Sequence, residues 1–490
     1  MKKKIIIIGA GYSGLSLAAL LASKGHKVHV LEKNPEIGGR ARRWKEKGYS
    51  FDMGPSWYLM PEVFENYFAK MGKELTKYYT VDRLANYYKV FFEGQKEIII
   101  TSDLEKTKAL FDTFEEGGGK KLDAYMEKAQ YKYKTAMSQF LYKEYKSIFS
   151  FFNWKIMTEG LKLNIFSSLD GFVRKFFTDT RARQLLEYAM VFLGASPDNA
   201  PALYSIMSHV DLKLGVWFPK GGMNAVAQGL ATLSKEMGVD ITTGVDVEKI
   251  LITQGKAVGV QTPQGSLMAD LVINSGDYHW GETQLLEPKY QTYPQSYWKK
   301  KTIAPSMFIA YIGVGKKIPG LEHHNLYFSK DWNKHFDNIF KNPQWPDNPC
   351  FYLSAISRTD PEMAPENCEN LFLLIPTAPG LNDTEEKRLE YMEMALNHVE
   401  KVTGEEIKKN IQVQRIYSMR DFEKDYHAFQ GTALGLAHTL FQTAVFRPAH
   451  KSKKVKNLYY TGQYTHPGVG VPMCLISSEI LAGELEKEWK

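Results

Sequence analysis

The chain is short of several things that would point elsewhere. Its 490 residues include only three cysteines, Cys350, Cys368 and Cys474, with no CxxC pair among them. That excludes a disulfide-stapled scaffold and fits a reducing compartment. No stretch approaches the roughly 20 apolar residues of a membrane-spanning helix. The opening MKKKIIIIGAGYSG places lysines before an apolar run, but the isoleucines are too few for a signal-peptide core and glycine turn chemistry follows at once. We find no Ser/His/Asp or Cys/His constellation, no metal-ligand spacing and no internal repeat. No metal is expected, and without a recognition motif no nucleic-acid partner is expected either.

What is present begins with size. A chain of 490 residues exceeds the roughly 250–300 at which one hydrophobic core stops growing, so at least two subdomains are expected. The net charge of +7 is modest but uneven, and basic side chains outnumber acidic ones between Lys120 and Arg183. There they interleave with aromatics in YKYKTAMSQFLYKEYKSIFSFFNWKIM, residues 131–157. Two readings stand: solvated helices with an apolar face, or a surface suited to anionic lipid.

The first 34 residues read as strand, turn, helix and strand. Ile5 to Ile8 form the continuous apolar run of a parallel strand covered on both faces. Gly9, Gly11 and Gly14 follow as G-x-G-x-x-G, providing a tight turn, a close approach to pyrophosphate and a close helix–strand contact. The next helix would aim its free N–H groups at the phosphates. KVHVLE then ends on Glu32, at the spacing of an acid that bonds ribose hydroxyls and disfavours a 2′-phosphate. Arg40, beside Gly38 and Gly39, is placed to reach phosphate or ribose oxygens, although a basic surface loop would read the same.

The segments IGGRARRW and FDMGP, together with residues 192–207, 215–250, 360–377 and 426–472, resemble the bacterial-type phytoene desaturases. These are carotenoid desaturases of the flavin amine oxidase superfamily. The C-terminal THPGVGVP is the most specific of these stretches. The resemblance implies FAD, with Gly39 and Arg40 at the cofactor and the backbone of Val247 along the adenine. It also implies that Gly462 lies close to FAD and that a helix starting near Val471 and Pro472 points at the ring. Gln463, Tyr464, Met473 and Cys474 depart from the commoner small residues there, which bears on substrate identity rather than fold.

The implied fold is α/β. A discontinuous Rossmann-type FAD-binding domain is assembled from 1–110, 215–285 and 411–490. The insertions 111–214, helical and membrane-facing, and 286–410, α+β, form the substrate domain. The implied reaction is desaturation of phytoene or a related acyclic carotenoid: an allylic C–H gives hydride to flavin N5, and a neighbouring proton leaves. A hydrophobic polyene substrate, a membrane quinone or oxygen as acceptor, and a cytoplasmic protein held peripherally at a membrane complete the expectation. A carotenoid isomerase or saturase, or a desaturase of C30 or hydroxylated carotenoids, would share these motifs. A non-catalytic isoprenoid-binding protein is a more distant alternative. Asp425, His427 and His466 are the candidate proton acceptors, with Asp421 nearby and Cys474 read as a wall residue, although each also has an ordinary structural reading.

Overall fold

A computed structural model describes residues 2–143, 163–164 and 167–489. Most of the basic and aromatic run, from residue 144 to 157, lies outside the described residues.

Strand Lys4–Ile8 sits in the middle of a five-stranded parallel sheet. Its order is Leu458–Tyr460, Leu271–Asn274, Lys4–Ile8, Lys27–Glu32, Asp240–Thr243. The isoleucines alternate between two cores. Ile5 and Ile7 pack under helices Tyr12–Ser23, Met223–Glu236 and Val471–Glu488, while Ile6 and Ile8 join Val247, Tyr278 and Tyr460 on the other face. A sheet so covered has no solvated side, which is why its strands carry unbroken apolar runs. The neighbours of the central strand extend the sheet in opposite directions. A crevice therefore opens at the strand's C-terminal end, where doubly wound folds bind their ligands.

The second sheet has seven strands, in the order Ile411–Tyr417, Ser306–Val314, Glu369–Thr377, Phe351–Ser354, His324–Phe328, Asn86–Phe92, Ile98–Thr101. All its pairings are antiparallel except that of His324–Phe328 with Asn86–Phe92. Sheet membership thus places 86–101 and 411–417 with this second sheet, although both fall inside the segments assigned from sequence to the nucleotide half. Strand Ser306–Val314 is buried along its whole length. Phe308, Ala310 and Ile312 pack against helix Glu385–Thr403, and Met307, Ile309 and Tyr311 face the opposite core. Helices such as Gly118–Thr135 and Thr180–Glu187 close that core from above. No helix among the described residues is long and apolar enough to cross a membrane.

Candidate functional site

The first glycine turn is built by close approach. Gly9 has φ +99° and donates its N–H to Leu31 O at 2.7 Å. A Cβ on Gly14 would fall 2.0 Å from Gly9 O, so the helix can lie this close to the strand only with glycine there. Gly11 is the N-cap of helix Tyr12–Ser23 and has no side chain to satisfy the first N–H groups, which remain available to an anion.

Glu32 is buried at the end of the second strand. Its Oε2 accepts the Ala10 N–H at 2.7 Å, and its Oε1 accepts both nitrogens of Asn34 at 2.9 Å. Oε1 is thereby saturated, while Oε2 still has a lone pair for a hydroxyl donor. Arg40 lies over the Tyr426 ring at 5.1 Å and reaches Thr432 O at 3.4 Å, while its buried Nε has no partner. The GP of FDMGP packs beneath it, since a Cβ on Gly54 would meet Arg40 O at 2.5 Å. Asp52 of the same motif caps helix Met223–Glu236, accepting the N–H groups of Met223 at 2.6 Å and Asn224 at 3.1 Å. Burial pushes its carboxyl up to about 6.

At the other end of the chain, Gly462 has φ +114° and donates its N–H to Ser477 Oγ at 3.1 Å. The loop then passes the cis peptide His466–Pro467 and two further glycines, Gly468 and Gly470, both at positive φ. Gly470 caps helix Val471–Glu488, which carries no acidic residue in its first turn. The positive end of this helix is therefore uncompensated where it meets the crevice.

Both ends line one cavity of about 1010 Å³. Its wall includes Gly9, Gly11, Glu32, Gly39, Arg40, Val247, Gly462, Val471, Asp425, His427, His466 and Cys474. Gly14 and Asp421 are absent from it. Gly14 is wedged between strand and helix, and Asp421 closes a capping box with Ser418 and pairs with Arg388 at 2.8 Å. Beyond Arg40 the wall turns apolar, with Phe192, Leu203, Met207, Met307, Ile309 and Leu374.

The three candidate bases differ sharply in their surroundings. Asp425 pairs with Arg42 at 2.5 Å and accepts Tyr417 OH at 2.9 Å on the same oxygen. His427 stacks on Trp280 at 4.0 Å and faces Asp246 at 3.2 Å, beside Val247 at the nucleotide end. His466 meets Phe140 O at 3.1 Å through Nε2. A carbonyl can only accept, so Nε2 carries the proton and Nδ1 keeps its lone pair. Burial holds this imidazole neutral, down to about 4. Burial raises the Cys474 thiol, which suits a wall residue rather than a nucleophile.

Sequence reasoning missed Tyr204 and His438, which also line the cavity. His438 Nε2 accepts the Val469 N–H at 3.0 Å, so its proton sits on Nδ1, 2.6 Å from Tyr204 OH. Both fall inside stretches that carry the family resemblance, 192–207 and 426–472, but nothing in either stretch singles them out. A long-range contact unites them, and one sequence offers no signal for that.

The residues present fit FAD. Free N–H groups at Gly11, the unpartnered Nε of Arg40, a spare lone pair on Glu32 Oε2 and glycine-lined walls on both sides suit its phosphates, ribose and ring. A parallel dinucleotide sheet opening into an apolar cavity of this kind defines a flavin-dependent oxidoreductase. The chain belongs to the flavin containing amine oxidoreductase family, which it matches over residues 12–485. It is similar to the carotenoid 3,4-desaturase of Haloarcula japonica, 42% identical over 483 residues, covering 98% of this chain and 97% of that one. It is also similar to the zeta-carotene-forming phytoene desaturase of Myxococcus xanthus, 31% identical over 488 residues, with 99% and 94% covered. Among solved structures, an oxidoreductase from Methanosarcina mazei shares the fold, with TM-score 0.63 at 18% identity and 100% of each chain covered.

Proposed function

We propose that the chain is an FAD-dependent carotenoid desaturase that introduces double bonds into phytoene or a related acyclic carotenoid. One observation carries this reading: a single cavity of about 1010 Å³ is lined both by the nucleotide turn and by a wall of aliphatic and aromatic side chains that suits a polyene. Similarity at 42% identity to a 3,4-desaturase supports the same substrate class.

Bound FAD would supply a hydride acceptor, taking hydrogen from an allylic C–H whose resulting cation is delocalised along the polyene. The protein's part is positioning and exclusion of water, which together account for several kcal/mol of such a barrier. The uncompensated start of the C-terminal helix, in the cavity wall at Val471, would stabilise negative charge developing on a ring held beside it. A polyene cation is a strong acid, so a weak base suffices for the second step. Asp425 is held by Arg42 and Tyr417, and His427 sits at the nucleotide end beside Asp246 and Val247, which leaves His466 and its Nδ1 lone pair as the favoured base.

The substrate domain faces a membrane in this proposal, and the protein is a peripheral one. Phe441, 71% exposed, and Phe446, 38% exposed, both border the cavity, so an apolar substrate could enter from lipid without crossing water. Thr302 donates its N–H to Gln442 Oε1 at 2.9 Å, next to Phe441, and the exposed Lys299 and Lys300 shortly precede Thr302 in the chain. A quinone of the same membrane is the favoured electron acceptor over oxygen.

Anaerobic mixing of the yellow holoprotein with acyclic carotenoids in vesicles tests the reading. Flavin bleaching matched by loss of two hydrogens from the polyene is expected. Bleaching by primary or polyamines, with every acyclic carotenoid inert, would overturn it.

A further inference from the structure

Buried arginines in this protein are paired with carboxylates, with one exception. Arg42, 8% exposed, meets Asp425, and Arg388, also 8% exposed, meets Asp383 and Asp421. Arg447 is 5% exposed, and among the described residues no carboxylate lies within ion-pair distance of it. Its donors go to main-chain carbonyls instead: Nε to Tyr464 O at 3.1 Å, Nη1 to Gln442 O at 3.1 Å and Nη2 to Gln463 O at 2.6 Å. The titratable groups that face it are Tyr204, Tyr297, Tyr464, His438 and His466, and none brings a negative charge. Burial holds the tyrosines above their usual range and the two histidines neutral.

A buried charge without a counter-charge is costly, and carbonyl dipoles offset only part of the cost. The location of this one suggests what offsets the rest. A Cβ on Gly468 would lie 3.1 Å from the Arg447 guanidinium carbon, while Pro467 and Val469, on either side of Gly468, line the cavity. The guanidinium therefore lies one residue layer behind the loop that wraps the crevice. It also anchors Gln463, another wall residue.

We propose that Arg447 is the counter-charge for the reduced flavin, held behind the ring-binding loop. This rests on the reading that residues 462–472 carry the ring. When a C–H bond breaks and its electron pair and hydrogen pass to ring N5, one negative charge is left on the N1 side of the ring. The polyene cation then releases a proton. Arg447 stabilises that negative charge, so no second proton has to be taken up at N1. The helix start at Val471 contributes only about half an elementary charge, whereas Arg447 contributes a full one. Arg447 is not part of the cavity wall and acts through the loop in front of it, as a positioning residue.

Sulfite is a suitable probe, because its lone pair adds to N5 of the oxidised ring and leaves the same negative charge at N1. Holoprotein carrying Arg447→Met should bind sulfite about tenfold or more weakly and show a more negative flavin potential. Arg447→Lys, which keeps the charge, should stay within about threefold of the unsubstituted protein. A yellow Arg447→Met protein with unchanged sulfite affinity, or equal shifts in both variants, would reduce Arg447 to a loop staple and overturn the proposal. Should the Met variant fail to hold flavin, the unsubstituted holoprotein decides. Uptake of one proton per two electrons on reduction at neutral pH supports the counter-charge, and uptake of two overturns it. None of these readings depends on the polyene, so an inert carotenoid would sink the substrate assignment while leaving this result standing.

Discussion

A side chain can act as a base only when a lone pair faces the substrate, and neighbours decide that for Asp425, His427 and His466. Asp425 is bound to Arg42 and Tyr417, so Asp425→Asn should cost stability, about 2–3 kcal/mol, by leaving Arg42 buried with less compensation. Comparison of urea midpoints checks this. His427→Ala should weaken FAD retention through the lost Trp280 stack, with the polyene step unchanged in the FAD-saturated protein. Asp211 offers a pH test. Its Oδ2 accepts Tyr88 and Tyr188 hydroxyls at 2.8 and 2.9 Å, its buried Oδ1 has no partner, and burial pushes the carboxyl up to about 7. A folded-state value above the unfolded one means the stabilisation is complete below the ordinary carboxylate range and is lost as pH rises towards 7. Asp211→Asn should therefore gain melting temperature over the unsubstituted protein as pH rises from 5 to 8, a range chosen around that value. Parallel melting curves across that range would contradict it.

At the scale of elements, the nucleotide turn was legible because its chemistry is local. Glycines at fixed spacing, an apolar strand before them and an acid after the next strand leave few alternatives. Gly14→Ala should abolish FAD binding and soluble folding together, since the added Cβ meets Gly9 O at 2.0 Å and backbone cannot yield cheaply. Flavin content of the soluble fraction reads this directly. Asp52 was legible only as part of FDMGP. Its role as the cap of a helix that starts at Met223 needs a contact across more than a hundred residues. The α+β character of 286–410 was read from the sequence, but the same limit hid the pairing of Asn86–Phe92 with His324–Phe328, and hid Tyr204, His438 and Arg447. Periodicity marks strands and helices but carries no information about which distant partners they meet.

In the whole molecule, a nucleotide site and an apolar chamber share one cavity, with exposed phenylalanines at its edge. Replacing Phe441 and Phe446 by serine should weaken sedimentation with phosphatidylglycerol vesicles several-fold, while flavin content stays unchanged. Binding that persists in the double variant would move the membrane face elsewhere. Polyene and flavin share this chamber in the proposed reaction. The most direct measurement is expression in a bacterial host that accumulates phytoene, with the pigments resolved by chromatography and mass. Coloured products lighter by two hydrogens per step are expected. If phytoene and later acyclic carotenoids, C30 and hydroxylated ones included, all persist beside a folded yellow protein, the desaturase assignment is contradicted.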